Sequence, residues 1–107
     1  MSAKHAAAGD VLTLVPLGDE LKSGTLIRET HAEVFRLVLE KGKHLPEHSA
    51  AGAITVQCLS GAIDMIALGK TQAMPAGTLI HLAEREPHAV TALEDSVLLV
   101  SMWLRRN

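Results

Sequence analysis

Short apolar runs, cut apart by turn residues, constrain this chain more than any other feature. They occupy residues 11–17, 25–28, 34–39, 54–59, 62–68, 71–74, 78–82, 89–93 and 96–103. Between them stand turn signals such as Glu40-Lys41-Gly42-Lys43, Ser60-Gly61, Pro75-Ala76-Gly77 and Glu94-Asp95. Runs of roughly four to eight residues suit strands, whereas helices need about ten or more. The succession therefore predicts an all-β sandwich or barrel. Residues 32–40 can also be written as an amphipathic helix, because Val34, Leu37 and Val38 fall at helical spacing. A strand fits better, since the run is short and lacks a cap. Gly69-Lys70 reads as a two-residue hairpin turn with glycine first.

A chain of 107 residues is expected to form one domain. Residues 1–10 show no period and read as a flexible N-terminus ahead of a single domain at 11–107. The opening MSAKHAAAGD lacks the apolar stretch of a signal peptide, and the longest apolar run, near residues 97–104, is too short to span a bilayer. The single cysteine, Cys58, excludes an intrachain disulfide and a four-cysteine zinc site. A cytoplasmic location is the expectation.

Charge and aromatic content narrow the partners. Lys plus Arg number 10 against 12 for Asp plus Glu, so no basic field is present to meet phosphates. Phe35 and Trp103 are the only large aromatics, which leaves no platform for stacking bases. Nucleic acid is excluded on both counts, and a sugar-binding groove is disfavoured.

Six histidines are a generous supply of a residue that ligates metals and moves protons. His5 and His31 read as ordinary polar residues, one in the unpatterned start and one in a turn. His44 precedes His48 by four, but the Leu45-Pro46 break makes a shared face unsafe, and a rim position is expected. His81 lies between Ile80 and Leu82, so alternation points it outward. Cys58 shares parity with Ile54 and Val56 and should face the core as a small hydrophobe. Its reading as a nucleophile would need His48 or His88 beside it. Met65, Met74 and Met102 read as core filler, with Met102 and Trp103 as alternative pocket residues. Glu47 should point away from its neighbour His48.

Gly42, His48 and Gly61, together with Gly77 and His88, carry a resemblance to the cupins. The first cupin motif is Gly, five residues, His-x-His, three or four residues, Glu, six residues, Gly. The segment from Gly42 through Ile54 to Gly61 resembles it. The second motif is Gly, five residues, Pro-x-Gly, two residues, His, three residues, Asn. The segment from Gly77 to Ala92 resembles that. The likeness spans about residues 25–104, and it implies a cupin jelly-roll β-barrel of two antiparallel sheets.

Position by position, the resemblance puts His48 at the first motif histidine, Ala50 at the second and Ile54 at the glutamate. His88 stands at the histidine of the second motif. Ala83 and Arg85 replace its Pro and Gly, and Ala92 its Asn. Cupins hold Fe, Mn, Ni, Cu or Zn through three His and a Glu. The resemblance thus implies a metal site reduced to His48 and His88, and two imidazoles alone hold a divalent ion weakly. The expected ligand pocket is His48, Ala50, Ile54 and His88, drier than usual, with two histidines to orient a carboxylate or carbonyl or to act as base. The expectation is a barrel binding a small molecule, a weakly held divalent transition metal, or both. The alternative is a metal-dependent cupin enzyme (dioxygenase, isomerase or decarboxylase) acting on a small organic acid. A sensor or interaction domain without catalysis is a third class, and buried inherited histidines the plainest reading. Small cupins commonly pair, so a homodimer is expected, with residues 11–15 and 96–104 as candidate interface strands.

Overall fold

The computed structural model describes residues 5–16, 18 and 21–105. Among these described residues there are nine strands: β1 (Gly24–Arg28), β2 (Ala32–Leu39), β3 (His44–His48), β4 (Ala53–Ser60), β5 (Ala62–Ala67), β6 (Lys70–Pro75), β7 (Thr78–Leu82), β8 (His88–Ala92) and β9 (Ser96–Trp103). They form a five-stranded sheet, β1-β2-β9-β4-β7, and a four-stranded sheet, β3-β8-β5-β6, with every pairing antiparallel. The chain therefore crosses between sheets repeatedly, as a jelly roll does. The 34–39 run is a strand, as its length suggested.

Alternation sets the inner faces. On β4, Ile54, Val56 and Cys58 are buried while Ala53, Thr55 and Gln57 are only partly covered. On β5, Ile63, Met65 and Ala67 point inward in the same way. These meet Leu82, Val90, Ala92, Leu98 and Val100 in one cluster between the sheets. Each large aliphatic side chain so buried contributes about 1.5–3 kcal/mol. The core is built of aliphatics and methionine, and Phe35 packs against its border.

Four details depart from the sequence reading. Residues 11–15 form no strand, and Val11 is 97% exposed. Their backbone is gathered instead by Arg36, whose guanidinium donates to the carbonyls of Thr13, Leu14 and Lys22 at 2.9–3.2 Å. Strand β9 has no free edge for pairing with another chain, because β2 and β4 occupy both sides of it. The β5–β6 turn is centred on Leu68 and Gly69, one residue early, and both have the positive φ (56° and 76°) of a type I′ turn. His44–His48 is a strand despite Pro46, which an edge strand tolerates because one side of its backbone is unpaired.

Of the expected flexible N-terminus, residues 1–4 lie outside the described residues, as do Leu17, Asp19 and Glu20 of the first turn signal. Ala6 donates to the Leu26 carbonyl on β1 at 2.8 Å. No helix among the described residues is long and apolar enough to cross a membrane.

Candidate functional site

The two motifs meet at one end of the sandwich. Gly42 and Gly77 each take positive φ (87° and 91°) and turn the chain into β3 and β7. The Arg85 amide donates to the Ala50 carbonyl at 2.9 Å, joining the loop after β3 to the loop before β8. Arg85 itself sits at φ 64°, the left-handed conformation that a glycine adopts freely. The backbone at Arg85 thus takes the conformation that the resemblance would assign to a glycine.

His48 and His88 are Cα partners across β3 and β8. Their ring centroids lie 4.4 Å apart with the planes tilted by 56°. A register shift between Leu45 and His48 makes this possible. Leu45 already faces inward, so three residues of regular strand would aim His48 outward. The irregularity at Pro46-Glu47 turns His48 to the cavity instead, where it remains exposed at the mouth while His88 is buried. The irregularity also separates His44, which stays on the outside with its Nδ1 2.9 Å from Thr91 Oγ1. Glu47 is exposed and takes no part.

Each ring is held in the same way. His48 Nδ1 donates to the Pro46 carbonyl at 3.0 Å, and His88 Nδ1 donates to the Glu86 carbonyl at 3.0 Å. A carbonyl only accepts, so Nδ1 carries the proton in both rings. In the neutral form, both Nε2 atoms are therefore acceptors with a free lone pair.

A partly open cavity of about 60 Å³ lies against these rings. It is lined by His48, Ala50, Ile54 and His88, the four residues expected from the sequence. Phe35, Leu37, Leu45, Val56, Val90, Leu98 and Val100 complete the lining. Only the two imidazoles bring side-chain heteroatoms. The volume accommodates several waters at about 10–15 Å³ each, or one small organic group. Phe35, Leu37 and Leu45 were not singled out as pocket residues. The scarcity of aromatics was the one signal that could have flagged Phe35.

Other candidates lie elsewhere. Ala92 is buried in the core and does not line this cavity. Met102 packs on the core outside it, and Trp103, half exposed, borders a separate groove with Gly52, His81 and Arg105. His81 points outward and donates from Nδ1 to the Ile54 carbonyl. Cys58 is 1% exposed, its thiol directed at the Ser60 carbonyl at 3.4 Å, at the opposite end of β4 from Ile54. Burial first, and the charge of Glu94 second, push its thiol above the ordinary 9.0. No histidine serves it as a base.

As a metal centre the donor set is incomplete. Among the described residues no group of three or more His, Cys, Asp or Glu side chains is placed to hold an ion. Two neutral nitrogens in a hydrocarbon wall offer no charge to offset that of a divalent cation. The pair therefore does not amount to a resident metal site.

No family model and no curated protein matches the sequence. The structure does have close neighbours. It is similar to a conserved protein of unknown function from Streptococcus pyogenes, with TM-score 0.79 and 24% identity over 97% of this chain and 95% of that one. It is similar to a cupin superfamily protein from Desulfitobacterium hafniense, with TM-score 0.78 and 12% identity over 95% and 97%. It also resembles the salicylate 1,2-dioxygenase of Pseudoaminobacter salicylatoxidans, solved with gentisate, at TM-score 0.66 and 16% identity. That match covers 74% of this chain and 21% of the dioxygenase. The fold is that of the small RmlC-like cupins. At these identities the likeness shows the fold and no activity.

Proposed function

We propose that the protein binds a small organic molecule in the barrel, with its apolar part against Phe35, Leu37 and Ile54 and its polar group on His48 and His88. The observation that carries this reading is the pairing of two imidazoles, both fixed through Nδ1, at the mouth of an otherwise hydrocarbon cavity. Concave, mostly apolar sites with a few convergent polar groups are the usual form of small-molecule sites. The gentisate bound by the dioxygenase is a small organic ligand on the same fold.

A loosely held divalent transition ion is the second reading. The same tautomers favour it, because a ligating histidine usually donates its other nitrogen to a carbonyl or carboxylate. His48 and His88 would hold the ion, and water would complete its shell. Such an ion would supply Lewis acidity to a bound organic acid, as the enzyme alternative (dioxygenase, isomerase or decarboxylase) requires.

We further propose a cytoplasmic homodimer. The lone thiol suits a reducing compartment. The free edge of β7, with Leu79 55% exposed, offers the pairing surface that residues 11–15 and β9 do not.

Thermal unfolding with a panel of small neutral and anionic compounds tests the binding reading. A ligand at 100 times its Kd should stabilise the folded state by about 2.7 kcal/mol. That gain should vanish in His88→Ala. A panel that leaves the wild type unchanged overturns the reading.

A further inference from the structure

Resting on the small-molecule reading above, we infer that the cavity selects a neutral, mostly hydrocarbon guest carrying a hydrogen-bond donor, such as an alcohol, over an ether or a carboxylate. The Pro46 and Glu86 carbonyls claim the Nδ1 protons of His48 and His88. What the two rings present to a guest is then the pair of Nε2 lone pairs. No other side chain lining the cavity has a polar atom, so it contains acceptors and no side-chain donor. The walls from β2, β3, β4, β8 and β9 are Phe35, Leu37, Leu45, Val56, Val90 and Leu98, and none is titratable.

A hydroxyl satisfies one lone pair and leaves its alkyl part on the hydrocarbon. An ether brings a second acceptor against the first and leaves both unsatisfied, at the cost of desolvation. A carboxylate is repelled by the same lone pairs and must also shed its water into an apolar wall. Ile54 and Ala50 add only hydrocarbon beside the two rings, which leaves the site one-sided, with acceptors and no side-chain charge.

The experiment is a titration followed by the imidazole nitrogen and proton resonances of the whole chain, at a pH where those resonances themselves report both rings neutral. The probes are n-butanol, its isomer diethyl ether, and butyrate. Both rings should report the Nδ1–H tautomer. n-Butanol should shift the Nε2 resonances of His48 and His88 saturably, with an affinity about five- to tenfold above that of either other probe. An Nε2–H tautomer in either ring overturns the inference. So does ether binding as well as butanol, or butyrate binding more tightly, although the small-molecule reading survives both results. If no probe perturbs either ring, both fail together.

Discussion

His48 and His88 stand opposite each other on β3 and β8 with ring centroids 4.4 Å apart, and each is anchored through Nδ1 to a carbonyl two residues earlier in its own chain segment. This arrangement fixes which nitrogen is available and leaves the pair without a third polar partner. The rest of the cavity is hydrocarbon.

Polar residues introduced at positions 50 and 54 should convert the cavity into an ion site. Ala50→His with Ile54→Glu would place an imidazole and a carboxylate on the lining beside His48 and His88. Ile54 is 3% exposed, so without metal the double variant should lose about 2–5 kcal/mol of stability. Cobalt(II) or zinc(II) should recover that loss, with affinity at least tenfold above the wild type. Calorimetry and cobalt absorption would show it. Equal affinity in the two proteins would mean that these positions do not converge.

Backbone conformation gives a matched pair of substitutions with different outcomes. Gly77→Ala forces a side chain into φ 91° and should destabilise by about 1–2 kcal/mol. Arg85→Gly relieves a left-handed residue at φ 64°, and that relief offsets the added freedom of the unfolded chain. Urea unfolding should place Arg85→Gly within about 0.5 kcal/mol of the wild type or above it.

Gly52 answers to space, not to φ. A Cβ there would collide with the Trp103 backbone carbonyl. Gly52→Ala should therefore cost at least about 2 kcal/mol, because backbone must move. A denaturant midpoint unchanged from wild type would contradict the close approach of this loop to β9.

Cys58 should resist alkylation in the folded protein and react only on unfolding, since its thiol is buried and its ionisation suppressed. The sign of the linkage follows. Below the ordinary 9.0 neither state ionises and the full stability is present. Above it the unfolded chain releases the proton first, so stability falls as pH rises. Cys58→Ala should remove this part of the alkaline loss while costing stability at neutral pH through the space it leaves.

Strand order and pocket membership were legible to different degrees. Short runs of period two located most of the strands, because half-buried sheets write their faces into the sequence. β3 was missed because Pro46 interrupts the pattern and only two inward residues, Leu45 and His48, remain. Residues 11–15 look like a strand by hydropathy, but the contact that settles them is a buried guanidinium binding carbonyls, which no local pattern records. The motif spacing named His48, Ala50, Ile54 and His88, and these four line one cavity. Phe35 and Leu37 come from β2 across the sandwich, and only tertiary packing brings them to the same cavity. Parity alone would put His44 and His48 on one face, and the Leu45-Pro46 break warned against it: a one-residue irregularity reverses the face between them.

The central claim is that the His48–His88 cavity works as an organic-ligand site without a resident metal. Elemental analysis of protein purified without a metal column, followed by the ligand panel before and after chelation, tests it most directly. We expect well under one equivalent of any transition metal and unchanged ligand-induced stabilisation after chelation. A stoichiometric Fe, Mn, Ni, Cu or Zn ion that is lost in His48→Ala, with ligand binding lost alongside it, would contradict the claim.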